Sequence, residues 1–153
     1  MLFRNFACIA SVALAIFVLG VGNTRAHDKV ESAFVVAENI KKIVVSADVQ
    51  SLIKLLPRQI QVVDRVYSRK EIVALLRDNG SWLYTGLFSE YKGSVRSYFL
   101  AAENIRIELC FEKETYLIPT VLYRSSSVDP FGWKRCHLRY ENGRWFLDDL
   151  FTE

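Results

Sequence analysis

The stretch WKRCHLRYENGRWFLDDLF, residues 133–151, decides the fold because it encodes a long β-hairpin. Asn142 and Gly143 form the preferred pair for a two-residue type I′ turn, in which both central residues need a positive φ. The turn sets the register of the two strands, and His137 then lies opposite Asp148. One face of the hairpin is almost entirely apolar and the other is mixed. The hairpin therefore predicts a sheet with a core side and a second side whose role must be explained.

Two more strands precede the hairpin and extend it into a meander. Apolar and polar residues alternate over residues 105–111, and a second apolar segment follows over residues 116–124 after a turn. Pairing Cys110 with Ile118, and Ile118 with Arg139, produces one face with almost no polar side chains. This agreement predicts an antiparallel sheet with one face buried.

The first half of the chain has helical periodicity. Apolar residues recur with helical spacing over residues 30–45. Asp48 is a suitable N-cap for a second, short helix, and Pro57 ends that helix. Ser68 and Glu71 form a capping box that opens a third helix. Several helices therefore come before the meander.

The other segments of this half are less regular. Residues 59–67 are predicted to form one strand that Asp64 interrupts. Residues 81–92 fit either a helix or a loop, and residues 94–100 fit either a strand or a helix. Helices followed by a meander predict an α+β fold, in which the N-terminal helices pack on one face of a mostly antiparallel sheet.

Residues 1–26 have the parts of a signal peptide. Arg4 supplies the basic start, and an apolar run follows over residues 6–22. We expect cleavage before His27, which leaves residues 27–153 as a single exported domain, periplasmic or secreted. The alternative is that the apolar run stays uncleaved as a membrane anchor, although its length is at the lower limit for a span.

The charge of the chain argues against a nucleic-acid partner. Loss of the leader removes two arginines and no acid, which takes Lys+Arg from 20 to 18 against 17 Asp+Glu. A near-neutral domain lacks the positive field on which nucleic-acid binding depends.

The cysteines of the exported part, Cys110 and Cys136, form no metal-binding motif. The histidines do not cluster either, so no metal and no cofactor is predicted. In the meander the two cysteines lie on opposite faces, two strand spacings apart. We therefore expect no disulfide between them, because a disulfide needs close Cα atoms and converging side chains.

Three segments carry a resemblance to a known family: SADVQSLIKLL over residues 46–56, YSRKEI over 67–72 and NGRW over 142–145. Their order resembles the NTF2-like (cystatin-like, SnoaL-like) α+β cone superfamily. The resemblance implies one domain with a curved sheet wrapped on a helix, a conical cavity and dimerisation through the sheet. It implies no particular activity, because this fold serves many functions.

One acid–base pair emerges from the hairpin register. His137 and Asp148 lie opposite each other, and a carboxylate beside an imidazole fixes its tautomer and raises its basicity. These two residues are the candidate catalytic residues. The alternative interpretation is a surface ion pair, because both lie on the face away from the predicted cavity.

A ligand pocket is the second candidate site. Asp64 and Asp149 are candidate cavity carboxylates, since each interrupts an apolar pattern. Aromatic side chains are candidate pocket walls for an apolar ligand: Tyr67, Trp82, Tyr84, Tyr123, Tyr140 and Trp145. Packing within the core is the alternative explanation for them.

The mixed sheet face is the candidate interface with a protein partner or a second copy of the chain. It combines aromatic, aliphatic and arginine side chains, as interfaces do: Tyr116, Ile118, Leu122, Arg135, Arg139, Phe146 and Leu150. The sequence thus favours an exported, non-enzymatic binding or assembly domain. Two alternatives are a small isomerase, dehydratase or hydrolase, and a membrane-anchored subunit of an envelope assembly.

Overall fold

A computed structural model of the protein describes residues 24–62, 64–111, 118–125 and 133–151. The described residues form an α+β fold with five helices and two antiparallel sheets that are not closed into a barrel. The helices are α1 (Thr24–Val45), α2 (Val49–Lys54), α3 (Arg69–Arg77), α4 (Trp82–Phe88) and α5 (Val95–Ala101). The strands are β1 (Gln59–Val62), β2 (Arg65–Ser68), β3 (Arg106–Cys110), β4 (Thr120–Arg124), β5 (Trp133–Glu141) and β6 (Arg144–Leu147).

The predicted helix starts are confirmed. Asp48 caps α2 by accepting a hydrogen bond from the backbone N–H of Ser51, at 3.0 Å. Ser68 and Glu71 form the predicted capping box of α3. Helix α1 begins at Thr24, earlier than its apolar periodicity predicts. None of the helices in the described ranges is long and apolar enough to cross a membrane.

Serine caps decide the two ambiguous segments. The side chain of Ser81 accepts from the backbone N–H of Tyr84, and that of Ser94 accepts from the N–H of Ser97, both at 3.0 Å. Both segments are therefore helical and form α4 and α5. The capping serines satisfy backbone donors that would otherwise be unpaired at a helix start.

The prediction of a single strand over residues 59–67 is wrong, because this segment is a hairpin. β1 pairs with β2 antiparallel, with Gln59 opposite Ser68 and Val62 opposite Arg65. Asp64 lies in the exposed turn between the strands. An aspartate suits a turn because its short side chain can bond the local backbone. Asp64 is therefore not a cavity carboxylate.

The main sheet has the strand order β3-β4-β5-β6, and its terminal hairpin has the predicted register. Leu138 lies opposite Leu147, and Tyr140 lies opposite Trp145. Asn142 and Gly143 have φ values of 51° and 82°, so both are positive, as a type I′ turn requires. Local turn chemistry thus fixes this half of the sheet.

The other two pairings of the main sheet differ in outcome. Val121 lies opposite Cys136 as predicted. Cys110 lies opposite Thr120 rather than Ile118, so the predicted β3–β4 register is wrong by two residues. A shift of two residues keeps every side chain on its predicted face. Cys110 and Cys136 are not joined to each other, which confirms that prediction.

The small sheet lies beside β6. Gln61 of β1 forms a parallel bridge with Asp149, just after the end of β6. In addition, the backbone N–H of Leu147 donates to the carbonyl of Leu55 at 2.9 Å. These contacts hold the β1–β2 hairpin against the edge of the main sheet.

The hydrophobic core lies between the helices and one face of the main sheet. Tyr123 is fully buried in it, and its hydroxyl donates to the carbonyl of Ala37 in α1 at 2.9 Å. The indole Nε1 of Trp145 donates to Ser32 Oγ at 2.9 Å. Buried apolar residues of α1 recur at helical spacing, including Ala33, Ala37, Ile40 and Val44. Helices therefore cover the apolar face, as predicted, and the opposite face is named the outer face here.

Candidate functional site

Most of the aromatic residues predicted to line a pocket pack in or against the hydrophobic core. Tyr123 and Trp145 are buried in the core, and the ring of Tyr123 lies 5.0 Å from that of Phe99. The half-buried tyrosines pack against the same core: Tyr67, Tyr84 and Tyr140. Trp82 is 52% exposed on the surface of α4. Core packing thus accounts for all of these residues except Trp82, and the ligand pocket stays a prediction.

The apolar residues of the predicted interface are also placed differently. Leu122 and Phe146 are buried within the chain, and Leu150 belongs to the hydrophobic core. Phe146 is covered by Arg144, whose guanidinium carbon lies 4.4 Å from the ring centroid. Leu150 turns inward because β6 ends at Leu147. These three side chains are therefore covered within the chain itself, and the prediction that they form an interface surface is wrong for them.

The rest of the predicted interface set has mixed outcomes. Ile118 is half-buried, and Tyr116 lies outside the described residues. Arg135 lies opposite Leu122 and Arg139 lies opposite Phe146, so both arginines are on the outer face, as predicted. Both arginines thus contribute positive charge to the outer face.

His137 has a carboxylate partner, but the partner is Asp149 and not Asp148. His137 Nδ1 lies 2.5 Å from Asp149 Oδ2, and the backbone N–H of His137 donates to Asp149 Oδ1 at 2.8 Å. Both carboxylate oxygens thus engage one residue. The side chain of His137 is 33% exposed and that of Asp149 is 14% exposed. The predicted catalytic pair is corrected to His137 and Asp149.

The strand ladder explains this choice of partner. The backbone N–H of Asp148 donates to the carbonyl of His137 at 2.8 Å, as the register predicts. The returning bond, from the N–H of His137, goes to the Asp149 side chain instead of the Asp148 carbonyl. Asp149 therefore ends the ladder with its carboxylate while its backbone pairs with Gln61.

Asp148 pairs with an arginine instead. Arg139 Nε lies 2.9 Å from Asp148 Oδ1 and 3.4 Å from Glu141 Oε1. The Nε–H forms no well-aligned hydrogen bond, so the contact is chiefly an ion pair. This ion pair joins β5 to the residue that follows β6.

The surroundings shift the pKa values of these groups. The hydrogen bond that the ring donates to Asp149 raises the pKa of His137, and the partial burial of the ring opposes this. Burial raises the pKa of Asp148, although the charge of Arg139 acts in the opposite direction. Burial also raises the pKa of the Cys136 thiol well above its usual value, which makes this thiol unreactive.

An open cleft of ≈ 740 Å³ lies between the β1–β2 hairpin and the β5–β6 hairpin. Its walls are Leu56, Pro57, Arg58, Gln59, Ile60, Gln61, Val66, Arg69, Arg139, Glu141, Asn142, Arg144, Phe146 and Asp148. Four arginines thus face two carboxylates, around a smaller apolar surface. Of the residues predicted as site residues, Arg139, Phe146 and Asp148 line this cleft.

The four arginines of the cleft differ in how they are held. Arg69 donates to the carbonyls of Ile53, at 2.8 Å, and Leu56. Arg139 is occupied by the ion pair described above. Arg58 and Arg144 are exposed, and no carboxylate in the described ranges pairs with either. These two guanidinium groups are therefore available to an anion.

Sequence reasoning missed Arg58, Arg69 and Arg144 as site residues. Arg58 immediately precedes β1, Arg69 is the first residue of α3 and Arg144 is the first residue of β6. The three arginines therefore come from separate segments of the chain. The Asn142-Gly143 turn predicts that Arg144 begins a strand, but it does not indicate that Arg144 lines a cleft.

Among the described residues, no group of three or more His, Cys, Asp or Glu side chains is placed to hold a metal ion. Comparison of the chain with protein-family models, with curated proteins and with solved structures gives no match. The site is therefore interpreted from its own geometry.

Proposed function

We propose that the protein is an exported binding domain that takes an anionic ligand into the cleft of the outer face. The observation that carries this proposal is the pair of exposed arginines, Arg58 and Arg144, on opposite walls of the cleft without carboxylate partners in the described part of the chain. Exposed guanidinium groups that converge on a concave surface favour a ligand with a carboxylate or a phosphate.

The floor of the cleft adds a second requirement. Phe146 and Ile60 are buried beneath it, and Val66 is 59% exposed at its wall. The ligand therefore has an apolar body as well as its charged group. A purely apolar ligand fits less well, because it would leave the arginines without a partner while covering them.

Binding of small probes tests the proposal. Calorimetric titration with phenyl phosphate and with benzoate should show saturable binding, whereas benzyl alcohol, which has the ring without the charge, should bind more weakly. Arg144→Gln and Arg58→Gln should each weaken binding about tenfold or more, as expected for one lost charge-assisted hydrogen bond.

Arg77→Gln is the matched control, because Arg77 is exposed on α3 and does not line the cleft. The affinity of the Arg77→Gln variant for phenyl phosphate should equal that of the wild type. Equal affinity of all four proteins for phenyl phosphate, or no binding to any of them, contradicts the proposal.

We also propose that the two sheets and the helices form the NTF2-like cone arrangement. The parallel bridge between Gln61 and Asp149 supports it, because this bridge places β1 next to β6 and extends the sheet sideways. The packing of α1 on one sheet face is a second support. An experimental structure in which the β1–β2 hairpin packs away from β6 would refute this arrangement.

Export is proposed with cleavage before His27, to the periplasm or outside the cell. Such cleavage would remove residues 24–26 and shorten the first turn of α1. Mass spectrometry of the exported protein should give a chain that begins at His27. An intact Met1 on that protein would contradict cleavage, and its recovery in the membrane fraction would support the anchored alternative.

A further inference from the structure

His137 has one ring nitrogen without a hydrogen-bond partner in the described part of the chain, and the residue lies next to Asp148, a residue of the cleft wall. Asp149 holds Nδ1 at 2.5 Å, so the neutral ring carries its proton on Nδ1 and its lone pair on Nε2. No group in the described ranges bonds Nε2. Asp148 lines the cleft and pairs with His137 across the hairpin, so His137 is the neighbour of a cleft residue without lining the cleft itself.

The groups around the imidazole suit proton transfer. Thr120 lies directly opposite His137 on β4, and cross-strand partners have Cβ atoms about 5 Å apart, so its hydroxyl is within reach of a group bound at Nε2. Arg135 and Arg139 flank His137 on the same strand face. Asp148 and Asp149 are the carboxylates beside it. An oriented base thus stands among hydrogen-bond donors and cations.

We propose that this edge of the cleft hydrolyses a carboxylic ester of the bound anion, with His137 as the general base. Nε2 takes a proton from water while the water oxygen forms a bond to the ester carbonyl carbon. The imidazolium then returns that proton to the leaving alkoxide as the carbon–oxygen bond breaks, giving an acid and an alcohol. Asp149 is a positioning residue that holds Nδ1, and Thr120 donates its hydroxyl to the oxyanion. This inference rests on the proposed anion-binding function.

The two ends of the site set the length of the substrate. Arg144 lies opposite Glu141, which is four residues beyond His137 on β5. Four residues of strand span about 14 Å, and because the Arg144 guanidinium lies over Phe146, on the side toward His137, the ligand needs roughly 10 Å between its charge and its ester. The substrate class is therefore an elongated apolar ester with an anionic group at the far end.

Matched chromogenic esters test this inference. The p-nitrophenyl half-ester of suberate has an anionic far end, and p-nitrophenyl octanoate is the neutral ester of the same chain length. The full chain should hydrolyse the half-ester with the higher kcat/KM. Arg144→Gln should raise KM for the half-ester with little change in kcat, since it removes binding at the far end.

Variants at the dyad separate catalysis from fold. His137→Gln should lower kcat about 100-fold or more, the usual contribution of a general base. Asp149→Asn keeps an oxygen for the backbone N–H of His137 but turns an amide donor toward Nδ1. The proton then moves to Nε2, so the rate should fall and lose its rise with pH, which a merely structural change would not cause. His27→Gln, at the other histidine of the chain, should leave the rate unchanged.

The outcomes distinguish this inference from the proposed function. Loss of turnover in His137→Gln with unchanged affinity for phenyl phosphate supports both. A wild type that binds phenyl phosphate but hydrolyses neither ester above the buffer rate refutes catalysis and leaves binding standing. Equal rates for the two esters refute the substrate class. A wild type that does not bind phenyl phosphate refutes the proposed function itself.

Discussion

Replacing Asp149 measures how much its carboxylate contributes to the free energy of unfolding. In Asp149→Ala the backbone N–H of His137 loses its acceptor, and an unsatisfied buried donor costs about 1–3 kcal/mol. The bond to Nδ1 is lost as well, although the imidazole is one-third exposed, so water replaces part of it. Together these losses lower the free energy of unfolding by about 3 kcal/mol.

The matched variant Asp149→Asn keeps the acceptor for the backbone N–H of His137. Its loss is confined to the charge-assisted character of the Nδ1 contact, and we expect about 1 kcal/mol. Urea denaturation followed by tryptophan fluorescence measures both, since Trp145 is buried in the core. With a urea m value of about 1.5 kcal/mol/M, the midpoints should fall by about 2 M for alanine and about 0.7 M for asparagine.

Equal midpoints for the two variants would refute this reasoning. That result would mean that the backbone N–H of His137 finds another acceptor, such as water, when the carboxylate is absent. A double variant with His137→Gln completes the cycle. If Asp149 acts through the imidazole as well as the backbone, its loss should cost less in the His137→Gln background.

Two further predictions concern stability. The pKa of His137 is raised in the fold, so its stabilising contribution is fully present below pH 6.5 and is lost as pH rises through the higher folded pKa. Urea midpoints of the wild type should fall over that range, and His137→Gln should lack this component. Tyr123→Phe removes the hydroxyl that donates to Ala37, and should lower the free energy of unfolding by about 1 kcal/mol. A thermal midpoint unchanged from the wild type would show that this bond contributes nothing.

Local sequence signals predicted the parts of the fold that they control. The Asn142-Gly143 turn fixes the register of β5 and β6, because a two-residue turn allows a single pairing of the strands, with Glu141 opposite Arg144. The predicted β3–β4 register differs by two residues from the actual pairing, since the sequence between these strands has no comparable signal. Alternation still placed Cys110 on the correct face, because a shift of two residues preserves faces.

The candidate site depends on contacts that cannot be read from the alternation of apolar and polar residues along the strands. His137 takes Asp149 as its partner because a side chain replaces a backbone carbonyl at the end of the ladder. Strand periodicity predicts only the facing residue, Asp148. The cleft arginines Arg58 and Arg144 lie far apart in the sequence, and the contact between the two hairpins brings them together. No local sequence pattern predicts that these two arginines lie in the same cleft.

The bridge between Gln61 and Asp149 joins two parts of the structure that can move relative to each other, and the cleft lies between them. The β1–β2 hairpin has a ladder of four residue pairs, but it reaches the main sheet through this isolated bridge and the bond from Leu147 to Leu55. Such a boundary is where local opening is expected, so amides of the hairpin should exchange with solvent faster than those of β5. A ligand held by Arg58 on one side and Arg144 on the other would tie the two parts together. Its binding would then appear as slower amide exchange across the hairpin.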